Sequence, residues 1–283
     1  MRNAITCEVV KKSERAGQRE NREPVQQRNL VHTGPVNQKK PFILGEYNDP
    51  RMTKTAKDPQ KPDGAMKITV TKNGPYLVTG GVPLIRMEIC NDDEGYCHTW
   101  REGEHFPVQE TYALCRCGHS QHKPFCDGTH AKIGFEGTEH AGTEPYLRHP
   151  QIITGPELEL LDYENLCVHA RFCMRAGGIW NLTENSDIPA AKATAIEEAC
   201  NCPSGRLVLR DAETKKAVEP DLERSIVIIE YPARGEHGPL WVRGGIPVVS
   251  AEGKPYTIRN RLTLCRCGRS ENKPFCDGSH IQD

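Results

Sequence analysis

The 283-residue chain has no long apolar run. Its most apolar stretch, SIVIIEY at 225–231, has the length of a strand and falls far short of the ~20 residues a spanning helix needs. No membrane span is therefore expected. The opening residues also lack the hydrophobic stretch of a secretory signal. Neither charge is in excess: 37 Lys and Arg oppose 38 Asp and Glu, for a formal net charge of −1, which argues against a dedicated nucleic-acid binder. The chain contains no G-x-G-x-x-G, no Walker loop and no nucleophile–base pair recognisable by spacing. No catalytic residue is assigned, and an enzyme is not expected. Hydrophobic residues make up only 36%, and mean hydropathy is −0.63, as for a soluble chain with much loop.

Cysteine, in contrast, is plentiful. Thirteen residues is an odd number. Without an export signal the expected setting is a reducing compartment, the cytoplasm, where disulfides do not persist. Metal binding is the expected use.

Length alone suggests about two domains, and texture divides the chain further. Residues 1–65 are polar and without period, as a disordered tail would be. NGPYLVTGGVPLI at 73–85 matches HGPLWVRGGIPVV at 237–249, each upstream of its own cysteine motif, which marks duplicated units at 66–150 and 224–283. Apolar residues alternate in KITVT, YLV, PLWV and YTI, cut by Asn-Gly, Gly-Gly and Glu-Gly pairs, so each unit reads as a small β structure. The first copy is longer, with its surplus around NDDEGYCHTWREGEH, where a loop is expected. Between the copies, 151–223 includes AAKATAIEEAC, rich in helix formers at helical spacing. The expected fold class is α+β: two small β-rich units, an inserted α+β domain and the disordered tail.

The cysteine motifs read CRCGHSQHKPFCDGTH at 115–130 and CRCGRSENKPFCDGSH at 265–280. Cys115, Cys117, Cys126 and His130 follow C-x-C-x8-C-x3-H, and Cys265, Cys267, Cys276 and His280 repeat it. A C-x-C in a bent, extended segment can aim both sulfurs at one centre, and one helical turn brings a cysteine and a histidine four apart onto a common face. Three thiolates and an imidazole suit zinc or iron–sulfur, and spacing alone does not separate these. Between the ligands, Asp127 and Asp277 can accept backbone N–H bonds as an N-cap does. Gly128 and Gly278 allow a positive φ, Pro124 and Pro274 stiffen the approach to the third cysteine, and Ser120 and Ser270 can donate toward sulfur.

Both segments resemble the CDGSH iron–sulfur domain of the mitoNEET-like family, whose pattern is C-x-C-x2-S/T-x3-P-x-C-D-G-S/A/T-H. The resemblance implies one 2Fe-2S cluster per motif. Cys115 and Cys117 would hold one iron and Cys126 and His130 the other, and likewise in the second copy. Structural zinc knuckles are the alternative. A histidine in place of a fourth thiolate makes a cluster less negative and easier to reduce. It also makes the cluster acid-labile, because protons compete for the imidazole.

A third constellation lies in CVHARFCMRAGG at 167–178 and CNCPSGRL at 200–207. It resembles the divergent 4Fe-4S mono-cluster ferredoxins, with C-x-H-x3-C and a later C-P-S-G, and so implies a ferredoxin-like domain. Cys167, Cys173 and Cys202 fill three ligand places of a bacterial ferredoxin run, and Ala170 occupies the middle one. Three thiolates can hold a 3Fe-4S cluster, or a 4Fe-4S cluster with Cys200, His169 or an exogenous fourth ligand. Buried free thiols are the alternative.

Cys90, Cys97 and His98 lack a fourth spaced ligand and read as incidental to a solvated loop. His119 and His122 are replaced by Arg269 and Asn272 in the second motif, so they are not expected to be ligands. Cys7 reads as a free thiol in the tail. Arg116, Lys123, Arg266, Arg269 and Lys273 form either an ordinary solvated face or one that docks an acidic redox partner. Two functions fit these features: a non-catalytic electron carrier serving a redox partner protein, or a delivery or sensor protein that releases a labile cluster to an apo iron–sulfur acceptor. In either case the duplicated motifs can pack as an intramolecular pseudo-dimer within a monomer.

Overall fold

A computed structural model describes residues 66–142 and 150–281. The tail expected at 1–65, with Cys7, lies outside the described residues. β1 (Lys67–Val70) and β2 (Tyr76–Thr79) form an antiparallel hairpin. β3 (Leu84–Asn91) and β4 (Cys97–His105) form a second, and β5 (Thr111–Leu114) returns beside β2. The first cysteine motif ends in the short helix α1 (Thr129–Lys132). The middle region then runs β6 (Gln151–Thr154), β7 (Leu158–Asp162), α2 (Ile179–Glu184), α3 (Pro189–Asn201), β8 (Leu207–Asp211) and β9 (Ala217–Val218). β10 (Ser225–Tyr231), β11 (Glu236–Arg243), β12 (Val248–Val249) and β13 (Arg261–Leu264) lead into the second motif. The fold is α+β.

The strands gather into three sheets, in the orders β12-β1-β2-β5, β13-β11-β10-β3-β4 and β6-β7-β8-β9. In the first two, the duplicated units exchange strands. β12 lies parallel to β1, with Ile68 beside Val248, and β3 lies parallel to β10, with Ile226 beside Leu84. The exchange crosses the boundaries expected at 151 and 224. Alternation sets which residues meet: Ile68, Val70, Tyr76 and Val78 share one core with Ile226, Ile228, Leu240 and Val242. Each such side chain contributes about 1.5–3 kcal/mol through burial.

The unbroken apolar run of β10 has a direct cause. Ile226 and Ile228 face the shared core, while Val227 and Ile229 face a second core with Trp241 and with Phe172 of the middle region. A strand covered on both faces has no polar side to alternate with. In the middle region, Leu158, Leu160, Leu207 and Leu209 of the sheet pack against Ile179, Leu182, Ala195 and Ala199 of the helices. Pro189 opens α3, where its missing N–H costs nothing. Pro203 closes it by forcing Cys202 out of the helical region, to ψ 108.

Two expectations are corrected. NDDEGYCHTWREGEH is not a loop, because most of it is β4. Its exposed Arg101, Glu102 and Glu104 protect the edge of a sheet, and those charges hide the strand from apolar alternation. Nor is YTI at 256–258 a strand. Tyr256 is buried and donates its N–H to Val248 at 2.9 Å, whereas Ile258 is exposed. Among the described residues no helix is long and apolar enough to cross a membrane.

Candidate metal centres

The first motif begins where β5 ends. Phe125 bridges back to Leu114, the Cys115 N–H donates to Pro124 O at 2.8 Å, and the Cys126 N–H donates to Ala113 O at 2.9 Å. The third cysteine is thereby laid beside the first two. The second motif repeats this, with Phe275 on Leu264, Cys265 donating to Pro274 O at 2.9 Å and Cys276 to Thr263 O at 3.0 Å. The bonds preceding Pro124 and Pro274 are cis.

The aspartates brace the histidine turns as expected. Asp127 accepts from the N–H groups of Gln121 at 2.8 Å and Thr129 at 3.0 Å, and Asp277 accepts from Glu271 and Ser279 at the same distances. The Gln121 N–H, followed by Thr129, holds the Asp127 carboxyl below the usual range. Burial pushes Asp277 up but is outweighed by Ser279 and the Glu271 N–H, so it too lies low. Gly128 and Gly278 have φ 85 and φ 90, the left-handed geometry that glycine tolerates.

The role expected of Ser120 and Ser270 is corrected. Their hydroxyls donate to Phe125 O and Phe275 O at 2.7 Å, not to sulfur. They also accept from the His122 N–H at 3.0 Å and the Asn272 N–H at 3.1 Å, fastening the loop to itself. The sulfurs meet backbone instead: the N–H groups of His119 at Cys117, Ser270 at Cys265, Arg269 at Cys267 and Gly278 at Cys276.

Within each motif the expected ligands stand in pairs. Cys115 and Cys117 have sulfurs 3.8 Å apart, and Cys126 Sγ lies 3.2 Å from His130 Nδ1. In the second motif the distances are 3.6 Å between Cys265 and Cys267 and 3.4 Å between Cys276 and His280. Two thiolates on one tetrahedral ion with bonds of about 2.3 Å stand about 3.8 Å apart, so each pair has the span of two ligands on one metal. Among the described residues no three His, Cys, Asp or Glu side chains form a group able to hold a single ion. Each motif thus presents its donors as two separate pairs.

In the second motif one thiol is set apart from the other two. Cys267 is lowered to about 6, first by its hydrogen bond with Cys265 and then by the backbone and guanidinium of Arg269. Its partner Cys265 is pushed up by that same bond and by burial. The pair thus releases one proton readily and the second only to a metal. Burial raises Cys276 and holds His280 down near 4, where the imidazole is neutral and able to ligate.

The two motifs touch. A Cβ on Gly118 would stand 2.6 Å from Cys267 O, and one on Gly268 would stand 2.6 Å from Cys117 O, so only glycine permits this reciprocal approach. From the first unit, Tyr76 also donates its hydroxyl to Cys265 O at 2.7 Å and Pro274 O at 3.0 Å. Arg116 is buried, bonding Gly137 O and Thr71 O. Arg266 bonds Gly238 O, Ile229 O and Glu230. Neither belongs to a solvated docking face.

The middle region holds a small, partly open cavity lined by Cys167, His169, Cys173, Cys202, Ser204 and Arg206 among others. Ala170 lines it as well. Cys200 does not: it lies on α3, where burial raises its thiol against the pull of Arg261. Cys173 is pushed up to about 12 by burial, with Cys202 and Cys167 adding to it. Arg206 stands beside Cys167, pinned by Asp162 at 2.6 and 2.8 Å. Three thiols facing one cavity with a fixed guanidinium suit a group of net negative charge.

The lesser candidates fall elsewhere. Cys97 is buried in a strand and bonds the Tyr231 hydroxyl at 3.1 Å, and His98 faces Glu197 at 3.4 Å. Cys90 is buried in β3, while His119 and His122 are exposed. Sequence reasoning missed Tyr76 and Arg206. A lone tyrosine in a strand carries no local signal of its distant partners, but Arg206, four residues past Cys202, lay within the quoted C-P-S-G-R run.

Comparison with known proteins agrees with this geometry. The family of iron-binding zinc fingers of CDGSH type matches residues 73–131 and 237–281, and the divergent 4Fe-4S mono-cluster family matches 153–212. No curated protein and no solved structure matches. The chain is therefore an iron–sulfur protein with two CDGSH-type iron-binding regions and a divergent 4Fe-4S mono-cluster region set between them.

Proposed function

We propose that the chain is a non-catalytic electron carrier with one 2Fe-2S cluster at each CDGSH motif, working with a redox partner protein in a reducing compartment. The observation that carries this reading is the pairing of ligands, two sulfurs 3.6–3.8 Å apart and a sulfur 3.2–3.4 Å from an imidazole nitrogen, in each of two abutting loops. Cys115 and Cys117 face one iron and Cys126 and His130 the other, with Cys265, Cys267, Cys276 and His280 placed in the same way. The clusters supply one-electron capacity, at a potential raised by the histidine ligand. The backbone N–H groups at the sulfurs and Arg269 stabilise negative charge there, and the Gly118–Gly268 junction keeps the two sites adjacent. In the middle region, Cys167, Cys173 and Cys202, with His169 on the same cavity wall, fit a 3Fe-4S or 4Fe-4S cluster.

A second reading, delivery of a labile cluster to an apo-protein, draws on the first motif. A Cβ on Gly128 would meet nothing within 4 Å, so the turn carrying His130 is open on that side. Protein prepared without air separates the two by iron and sulfide counts and electron paramagnetic resonance, followed by incubation with an apo-ferredoxin. A carrier keeps its iron and exchanges electrons. A delivery protein loses iron to the acceptor, and a preparation holding only zinc overturns both.

A further inference from the structure

The two CDGSH motifs are near-copies, yet among the described residues the middle region meets the histidine turn of only one of them. A Cβ on Gly278 would stand 2.4 Å from the His169 ring and 3.1 Å from Cys167 O, whereas the equivalent Gly128 has nothing within 4 Å. Cys276 is 2% exposed, while its counterpart Cys126 is half-buried. The contrast is confined to the histidine half of each site, because in the C-x-C half it is Cys117 that is buried and Cys267 that is half-buried. A second small, partly open cavity has both His169 and His280 in its wall. His169 therefore belongs to the lining of the middle cavity and to the surroundings of the second CDGSH site at once.

The contact is built from both sides. Next to His169, Arg171 makes a double ion pair with Glu236 of β11, at 2.9 and 3.2 Å. Phe172 packs tilted against Trp100 at 4.7 Å, and Trp100 against Trp241 at 5.1 Å. Trp100 belongs to β4 of the first unit, but among the described residues that unit has no counterpart of the Arg171–Glu236 pair. Aligning the duplicated Gly-Pro pairs puts Lys72 where the second copy has Glu236, and Leu77 where it has Trp241. Lys72 would repel Arg171, and Leu77 is 37% exposed against 3% for Trp241. Duplication supplied two similar sites, and these substitutions let the inserted region reach the histidine turn of one, while its Phe172 packs on residues of both units.

We propose that His169 is a positioning residue of the second CDGSH site: it clamps the turn that carries His280, so that the two binuclear sites give up iron at different rates, the first faster. This rests on the reading that both motifs hold 2Fe-2S clusters. A ligand whose orientation is fixed by neighbouring contacts holds metal about 10–100-fold more tightly than one left free. The His280 turn has such a contact and the His130 turn lacks it.

The test uses the full chain, loaded without air and exposed to excess iron chelator at one fixed alkaline pH, with cluster loss followed by absorbance and paramagnetic resonance. Two phases are expected, and His130→Cys, which alters the spectrum of the first site alone, should mark the fast one. His169→Ala should speed the slow phase by about tenfold or more and shift the resonance of the second cluster, leaving the fast phase as it was. His169→Phe should restore the slow phase by refilling the space over Gly278. Glu236→Gln, outside the middle cavity, should loosen the same clamp without touching that cavity's thiols, which separates this effect from loss of a middle cluster. The proposal fails if the wild type loses both clusters in one phase, if the slow phase belongs to the first site, or if His169→Ala and Glu236→Gln leave the slow phase and its spectrum unchanged. A chain that takes up no binuclear cluster overturns the functional reading along with it.

Discussion

Tyr76 ties one half of the molecule to the metal centre of the other. Burial pushes its hydroxyl well above the usual tyrosine range, so it stays a neutral donor to Cys265 O and Pro274 O. Tyr76→Phe leaves two buried carbonyls without that donor and should cost about 1–2 kcal/mol in denaturant unfolding, with no new cavity to add to the cost. Glu198 shows the opposite situation, with both carboxylate oxygens buried and without a hydrogen-bond partner, and Arg175 Nε no closer than 3.8 Å. Burial raises it to about 7 against the pull of Arg175. A carboxyl raised in the folded state favours its protonated form, so it costs stability as pH rises through the ordinary glutamate range, and the cost levels off above about 7. Glu198→Gln should therefore match the wild type in acid and exceed its stability above neutral pH, by up to about 3 kcal/mol, as read from melting at several pH values. The pairing of the eight expected donors and the bracing role of the two aspartates were legible in the sequence because that geometry is local, set within sixteen consecutive residues of each motif. Tyr76 was not, because its partners lie 189 and 198 positions away.

Among elements, β13 and α3 are joined by a single side chain. Arg261 is buried and donates to Ala199 O, to Cys202 O at 2.8 Å and to Glu219 at 2.7 and 2.9 Å. It gives carbonyls at a helix end a second donor and places positive charge where the helix dipole is negative. Arg261→Met would leave Glu219 with only the Asn260 amide and each carbonyl with only its backbone donor, and should cost about 1–3 kcal/mol in denaturant unfolding. β10 and α3 were legible because each has an apolar pattern that burial on two faces or on one stripe demands. β4 was not, because a charged edge strand and a solvated loop share a composition. The short Ser-hydroxyl bonds of both motifs show the same limit, since the residue type was right and its partner was set by loop closure.

Across the whole molecule, strand exchange decides what can fold alone. β1 needs β12 and β3 needs β10, so a fragment spanning 66–150 would expose two unpaired strand edges and half of a shared core. That fragment should be unfolded or self-associated by sizing and circular dichroism, and co-expression with 151–283 should restore a discrete complex that binds iron. The duplication was visible in the sequence, but the exchange was not, because repeats show what is copied and not which copy a strand joins.

Exchange within one polypeptide has a consequence for dilution. Two separate chains swapping strands would part as their concentration fell. Here the partner is tethered, and its effective concentration is fixed by the connection. The paired centres should therefore persist however scarce the protein becomes.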